Sequence, residues 1–332
     1  MKRCFFSVFA ILFLAVLLLA ATALAEEPKP EIGTVMVKND GNVNVRSGSD
    51  TDSPIVGMAS PNAVYSCTGR AESGWYEILF EGEYRYIAPG KVAYSPLRAP
   101  AEDLSTLNER IQTDPGDALA YVERGEYYHW QGAYEDAYAD FTQAIALDGT
   151  AGQYAARGAT LFAMDALAAA EADARAAIAL DSACGPAYHL LGLLLLNEEK
   201  PDEALEQFLS AAQYDKTNAE TCNEIGLIYR DVREEYKEAV KWFGEAINRS
   251  GGERSTTIAM YFYNRGESYF LSEDIGDSVR KGIADVEAAL RLKEDIPQAY
   301  FLMFVVYDAI GDLEKGLSYI EKGIELFPDA EE

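Results

Sequence analysis

Two hydrophobic rhythms divide the chain. Between residues 34 and 87, apolar and aromatic side chains come in short runs: Thr34–Val37, Val43–Arg46, Ile55–Met58, Ala63–Cys67, Trp75–Phe80 and Tyr84–Ile87. Turn formers such as Asn39-Asp40-Gly41, Glu72-Ser73-Gly74 and Glu81-Gly82 separate them. Such runs read as strands, and six of them fit a small, partly open barrel. From Glu102 the spacing becomes helical: Leu104, Leu107 and Ile111 share one face before Asp114-Pro115 ends the segment. At Ala118 a longer pattern begins. Tyr121, Gly125 and Tyr128 lie on one side of a first helical segment, Gly132 breaks it, and Ala137, Phe141 and Ala144 follow on a second. This is a helix-turn-helix with small residues where two helices must touch.

That pattern recurs to the end of the chain. Its first-helix marker is Gly125, then Gly158, Gly192, Gly226 and Gly266, with Phe304 in the same place last, at spacings of 33, 34, 34, 40 and 38. The second helices repeat Ala170, Ala174 and Ala177; Ala204, Phe208 and Ala211; Ala239, Phe243 and Ala246; then Gly282, Val286 and Ala289; and Gly316, Ile320 and Gly323, ending at Phe327-Pro328. A period near 34 with two helices per unit resembles the tetratricopeptide repeat. The resemblance runs from Ala118 to Asp329 and divides it into six units, 118–151, 152–184, 185–218, 219–252, 259–296 and 297–330, with 96–117 as linker and capping helix. The wider spacings put extra residues at Arg249–Thr256 and Ser272–Val279, and both insertions are expected in loops.

A helix pair of this kind cannot bury its apolar face alone, so neighbours stack into a superhelix, an all-α solenoid whose first helices line a concave surface. The resemblance implies that positions 2, 5, 9 and 12 of each unit face inward. Counting from Ala118 gives as candidate partner-binding residues Val122, Glu126 and His129; Ala155, Ala159 and Phe162; His189, Leu193 and Leu196; Asn223, Leu227 and Arg230; Tyr263, Glu267 and Phe270; and Phe301, Val305 and Asp308. The lining is mainly apolar. Arg230 alone does not make a clamp for an acidic carboxyl tail, so a helix or extended segment with apolar anchors fits better. Packing between helices accounts equally well for Leu193, Leu196 and Phe270.

The amino-terminal runs carry a second resemblance. Asn42-Val43-Asn44-Val45-Arg46-Ser47-Gly48, then Ile55-Val56-Gly57, Gly74-Trp75-Tyr76-Glu77-Ile78 and a closing Tyr86-Ile87 are similar to the bacterial SH3-like (SH3b) domain, over residues 32–95. The end departs from the family, with Tyr84-Arg85-Tyr86-Ile87 in place of Gly-Trp-Val. The resemblance implies an all-β barrel that binds cell-wall peptide or other proteins rather than a catalytic domain. Tyr76, Tyr84 and Tyr86 are the candidate binding surface, Trp75 is expected in the core, and Arg46 either holds a turn or meets a ligand.

Composition narrows the function. Lys2 and Arg3, the apolar run Phe5–Ala20 and Ala23-Leu24-Ala25 make residues 1–25 resemble a secretory signal peptide, followed by a leader at 26–31, so an exported protein is expected. A retained membrane anchor is the competing reading, because the apolar run nearly spans a bilayer. The formal charge of −27 becomes −29 once Lys2 and Arg3 leave, which argues against nucleic acid or an anionic membrane as a partner. Cys67, Cys184 and Cys222 are too few for a disulfide framework. The two histidines, His129 and His189, lie away from any cysteine pair, so no metal site is expected, and no phosphate-cradling loop or other cofactor motif occurs. Cys184 and His189, five apart on a helix, face different ways and lack a third orienting group.

These features describe a multidomain, non-catalytic adaptor or scaffold. Its repeat groove would hold a protein or peptide while the barrel attaches to cell-envelope material. The alternative is a non-catalytic regulator or assembly factor of an envelope enzyme complex.

Overall fold

The computed structural model describes residues 33–37, 43–59, 64–71, 73, 75–80, 83–88, 92–96, 103–251, 255–272 and 277–328. The expected signal segment, the leader, the turn signals at 39–41 and 81–82 and the linker at 97–101 lie outside them.

Seven strands are described: β1 Gly33–Val37, β2 Val43–Arg46, β3 Ile55–Ala59, β4 Val64–Arg70, β5 Tyr76–Phe80, β6 Glu83–Ile87 and β7 Val92–Pro96. They form one sheet in the order β3-β2-β6-β5-β4-β1-β7, and every neighbouring pair is antiparallel. Alternation along the strands buries Val43 and Val45 while exposing Asn44, and buries Ile78 and Phe80 while exposing Leu79. These inward residues join Val35, Cys67 and Ile87 in a single cluster.

Two expectations for this sheet are corrected. A seventh strand is added to the six read from the sequence: β7 pairs with β1 from Val37 opposite Val92 to Gly33 opposite Pro96. Its run is short and ends in proline, which only an edge position admits, so in sequence it merges with the linker. Trp75 precedes β5 and is half-buried, outside the buried cluster. Arg46 holds a turn, its Nη1 donating to the Ser53 carbonyl at 2.5 Å.

The helices are α1 Leu104–Thr113, α2 Ala118–Trp130, α3 Tyr134–Leu147, α4 Ala151–Ala163, α5 Leu167–Leu180, α6 Gly185–Asn197, α7 Pro201–Tyr214, α8 Ala219–Asp231, α9 Tyr236–Arg249, α10 Ser255–Leu271, α11 Asp277–Leu292, α12 Pro297–Ala309 and α13 Leu313–Leu326. They pack as a tetratricopeptide-type solenoid, with α1 against α2 and each later pair, α2–α3 through α12–α13, packed on its neighbour. The expected insertion after the fourth unit only partly goes to a loop. α10 runs for 17 residues where α2, α4, α6 and α8 run for 13, so about one extra turn becomes helix. The second insertion falls largely in 273–276, outside the described residues. Val64 of β4 lies in the same buried cluster as Ile258, Tyr261 and Val286 of α10 and α11, so the sheet and the solenoid share an apolar patch.

Within the units, glycine makes room for an aromatic ring. A β-carbon on Gly125, Gly192 or Gly226 would lie 2.9, 2.5 or 2.7 Å from the ring of Phe141, Phe208 or Phe243, closer than any methyl tolerates. A second device occurs in three units. Arg124 with Asp140, Arg157 with Asp173 and Arg265 with Asp285 form two-pronged pairs at 2.7–2.8 Å, and all three carboxylates are buried. Such paired geometry offsets the cost of taking both charges out of water.

Candidate partner-binding groove

A cavity of about 820 Å³ opens along α2, α4 and α6. Its walls carry Val122, Glu126 and His129 from α2, Phe162 from α4, and His189 and Leu193 from α6. The sequence explains why space is left there. α4 presents Gly152, Ala155, Ala159 and Ala163, small residues about one turn apart, between bulkier residues of α2 and α6. Leu119, Gly152, Pro186 and Glu220 also line the cavity. They occupy the second position of their units and were not among the expected residues, although the inward set of the repeat includes that position. Asn218 and Thr150, the N-caps of α8 and α4, complete the rim.

The remaining candidates lie outside this cavity: Leu196, Asn223, Leu227, Arg230, Tyr263, Glu267, Phe270, Phe301, Val305 and Asp308. Leu196 is half-buried against the cluster that holds Phe208 and Ile225. The Phe270 ring sits against Gly282, in its own helix pair. Phe301 is exposed on the last unit.

Several polar candidates tie one unit to the next. Thr160 donates its hydroxyl proton to the Ala156 carbonyl at 3.0 Å, so its oxygen accepts from His129 Nδ1 at 3.0 Å, which leaves Nε2 as an acceptor. His189 Nδ1 lies 2.9 Å from Thr221 Oγ1. Asn264 donates to Asn223 at 3.0 Å, and Arg230 Nη1 bonds Asn264 at 3.2 Å and Glu267 at 2.6 Å. The Arg230 guanidinium is thereby committed, also reaching Asp231.

Burial sets the titration of these groups. It lowers His129 and His189, the latter against the opposing pull of Glu220 and Asp215. It pushes Tyr263 up to about 12, with Glu267 acting in the same direction. Glu126 is exposed as a residue, yet partial burial of its carboxyl, and then Glu123 beside it, push that carboxyl upward. Glu224 is raised by burial first and by Glu220 as well.

On the sheet, Tyr84 and Tyr86 lie two apart on β6 and share a face. Tyr86 donates to Glu77 Oε1 at 3.0 Å, and Thr68 donates to its Oε2 at 3.1 Å, so a buried carboxylate is held by its neighbours. Tyr76 packs on the core edge under the Arg70 guanidinium at 5.4 Å. Cys67, Cys184 and Cys222 are buried and unbridged. Cys184 Sγ points at the Ala151 carbonyl at 3.9 Å, and burial raises its thiol and takes that of Cys222 to about 11. Among the described residues, no group of three or more His, Cys, Asp or Glu could hold a metal ion.

Comparison with known proteins agrees with this architecture. The profile of the bacterial SH3 domain matches residues 41–93, and that of the tetratricopeptide repeat matches residues 185–218. The chain joins a bacterial SH3 domain to an array of tetratricopeptide repeats. It is 26% identical over 233 residues to "DnaJ homolog subfamily C member 3" of Rattus norvegicus, a match covering 69% of this chain and 40% of that protein. Among solved structures it resembles a chain of the APC/C Cut9–Hcn1 hetero-tetramer, at TM-score 0.55 and 15% identity over 68% of this chain and 43% of that one. It also resembles Pseudomonas aeruginosa pilF, at TM-score 0.54 and 18% identity over 65% and 94%. The solenoid shares the fold of these structures.

Proposed function

We propose that the chain is an exported, non-catalytic adaptor whose repeat groove holds a segment of a partner protein while its SH3 domain attaches to cell-envelope material. The observation that carries the groove half is the open cavity of about 820 Å³ built by the first helices of three successive units. Concave, mostly apolar space with a few polar groups is where ligands bind. Export is supported by the composition of residues 1–25, and attachment by the kind of domain that residues 41–93 match. The full chain and a variant lacking residues 33–96 are to be sedimented with purified cell-wall material. The full chain is expected in the pellet and the deletion variant in the supernatant; equal distribution of the two refutes attachment through the SH3 domain.

A further inference from the structure

We propose that the segment held in the groove is cationic, with an apolar anchor flanked by lysine or arginine side chains that meet Glu126 at one side of the cavity and Glu220 at the other. This inference rests on the groove being the binding surface. Four observations lead to it, the first being the inventory of charge. Glu126, Asp148 and Glu220 line the cavity, and no lysine or arginine does. Elsewhere on the same face the corresponding carboxylate is taken, since Glu267 pairs with Arg230.

The second observation is which of the three carboxylates is available. Asp148 accepts from Gln153 Nε2 at 2.5 Å, inside the capping box of α4, and is used. Glu126 makes no ion pair among the described residues. Glu220 faces His189 Nε2 at 3.9 Å, and burial keeps that ring toward its neutral form. Two carboxylates therefore stand at the rim of an apolar space with no countercharge.

Third, His129 adds an acceptor to the lining. The bond to Thr160 fixes the His129 proton on Nδ1, so its Nε2 offers a lone pair. A ligand that supplies hydrogen-bond donors satisfies this acceptor and the two carboxylates, and a guanidinium or ammonium supplies several.

Finally, the floor suits the stem of such a side chain. Lysine and arginine lay three or four methylenes along apolar surface while the charge stays at a polar edge. Val122, Ala155, Ala159 and Leu193 form that surface, together with the aromatic ring of Phe162. Glu126 crowded by the groove walls, with its carboxyl pushed up, is a group that an incoming cation relieves.

The test uses the full chain and three fluorescein-labelled ten-residue peptides, alternating leucine with arginine, with serine or with glutamate. Binding is followed by anisotropy at low and at physiological salt. The arginine peptide is expected to bind at one site per chain, about ten-fold more weakly to Glu126→Gln or Glu220→Gln, and more weakly still to Ala159→Trp, which fills the floor. Ala163→Arg, at another exposed groove position, places a cation in the site and is expected to have the same effect if Ala159→Trp does not fold. If the serine peptide binds equally and the two glutamine variants change nothing, the cationic assignment falls while the groove reading stands. If the arginine peptide binds regardless of Ala159→Trp and Ala163→Arg, it is held by the acidic surface at large and the groove reading falls too. Absence of binding by all three peptides also overturns the proposal.

Discussion

The ring of Phe270 lies where a β-carbon on Gly282 would stand, so the fifth unit inverts the arrangement of the first, third and fourth. There glycine is on the first helix and phenylalanine on the second, as in Gly192 and Phe208. Here the aromatic comes from α10 and the glycine from α11. The sixth unit follows the inverted form, with Gly316 against Phe304. In these five units the helix pair sets one ring against one bare backbone and either helix can supply either, whereas in the second unit Gly158 meets Leu190 instead.

Gly192→Ala is expected to destabilise the chain by about 1–3 kcal/mol, the range for overfilling a packed core. Its β-carbon would stand 2.5 Å from the Phe208 ring. Urea unfolding followed by circular dichroism measures the loss. Adding Phe208→Leu is expected to recover part of it, because the smaller side chain vacates the contact.

The buried Arg157–Asp173 pair gives an asymmetric expectation. Arg157→Leu leaves the Asp173 carboxylate buried without its partner and is expected to cost about 3 kcal/mol. Arg157→Leu combined with Asp173→Leu is expected to cost less than the single change. The fourth unit already shows that an apolar pair is tolerated there, with Ile225 and Trp242 at the corresponding positions. A double-mutant cycle by denaturant titration checks both.

The turns inside the units require a left-handed residue. Gly132 and Gly311 fill this role at φ +77° and +85°, but Asp165, Glu199 and Glu234 adopt φ of 59°, 59° and 54°, where an L side chain costs about 1–2 kcal/mol. Glu199→Gly removes that strain and gives back part through unfolded-chain entropy. A net gain of about 0.5–1 kcal/mol is expected in the thermal or urea midpoint.

Acidification tests the buried histidines. Burial lowers His129 and His189, so the unfolded chain takes the proton more readily. The stability they contribute is present above about pH 6.5 and is lost as pH falls toward their folded values. Glu126 and Glu224, pushed up, act oppositely: they take protons first in the folded chain and add stability on acidification. His189→Gln isolates the histidine contribution. Between about pH 7.5 and 5.5 the unchanged chain is expected to lose more of its urea midpoint than the variant.

Much of the architecture was legible because it rests on local spacing. The Gly–Phe–Ala register of the units is a direct consequence of which side chains meet one turn apart, and it marks the helix pairs that pack as the solenoid. What was not legible depends on superhelical geometry or on residues that look ordinary. His129 meets Thr160, and Asn223 meets Asn264, across 31 and 41 residues, and no short-range signal marks such pairs. Asp140 and Asp173 each follow an arginine by 16 residues, but in so acidic a chain single carboxylates carry little information. Five of the groove candidates, His129, His189, Asn223, Arg230 and Glu267, are used to join units, so the positions left for a partner include the small floor of α4, Glu126, and Glu220 beside the His189 ring.

Which face of the solenoid meets a partner is tested most directly by position-specific photocrosslinking in the producing cell. A photoreactive residue replaces Leu193 in the groove in one chain, and in another Leu180, exposed on the second helix α5. One partner captured from Leu193, not from Leu180, and lost when Ala159→Trp fills the cavity, is the expected result. Equal capture from both positions, or capture from Leu193 that survives Ala159→Trp, contradicts a groove-bound partner.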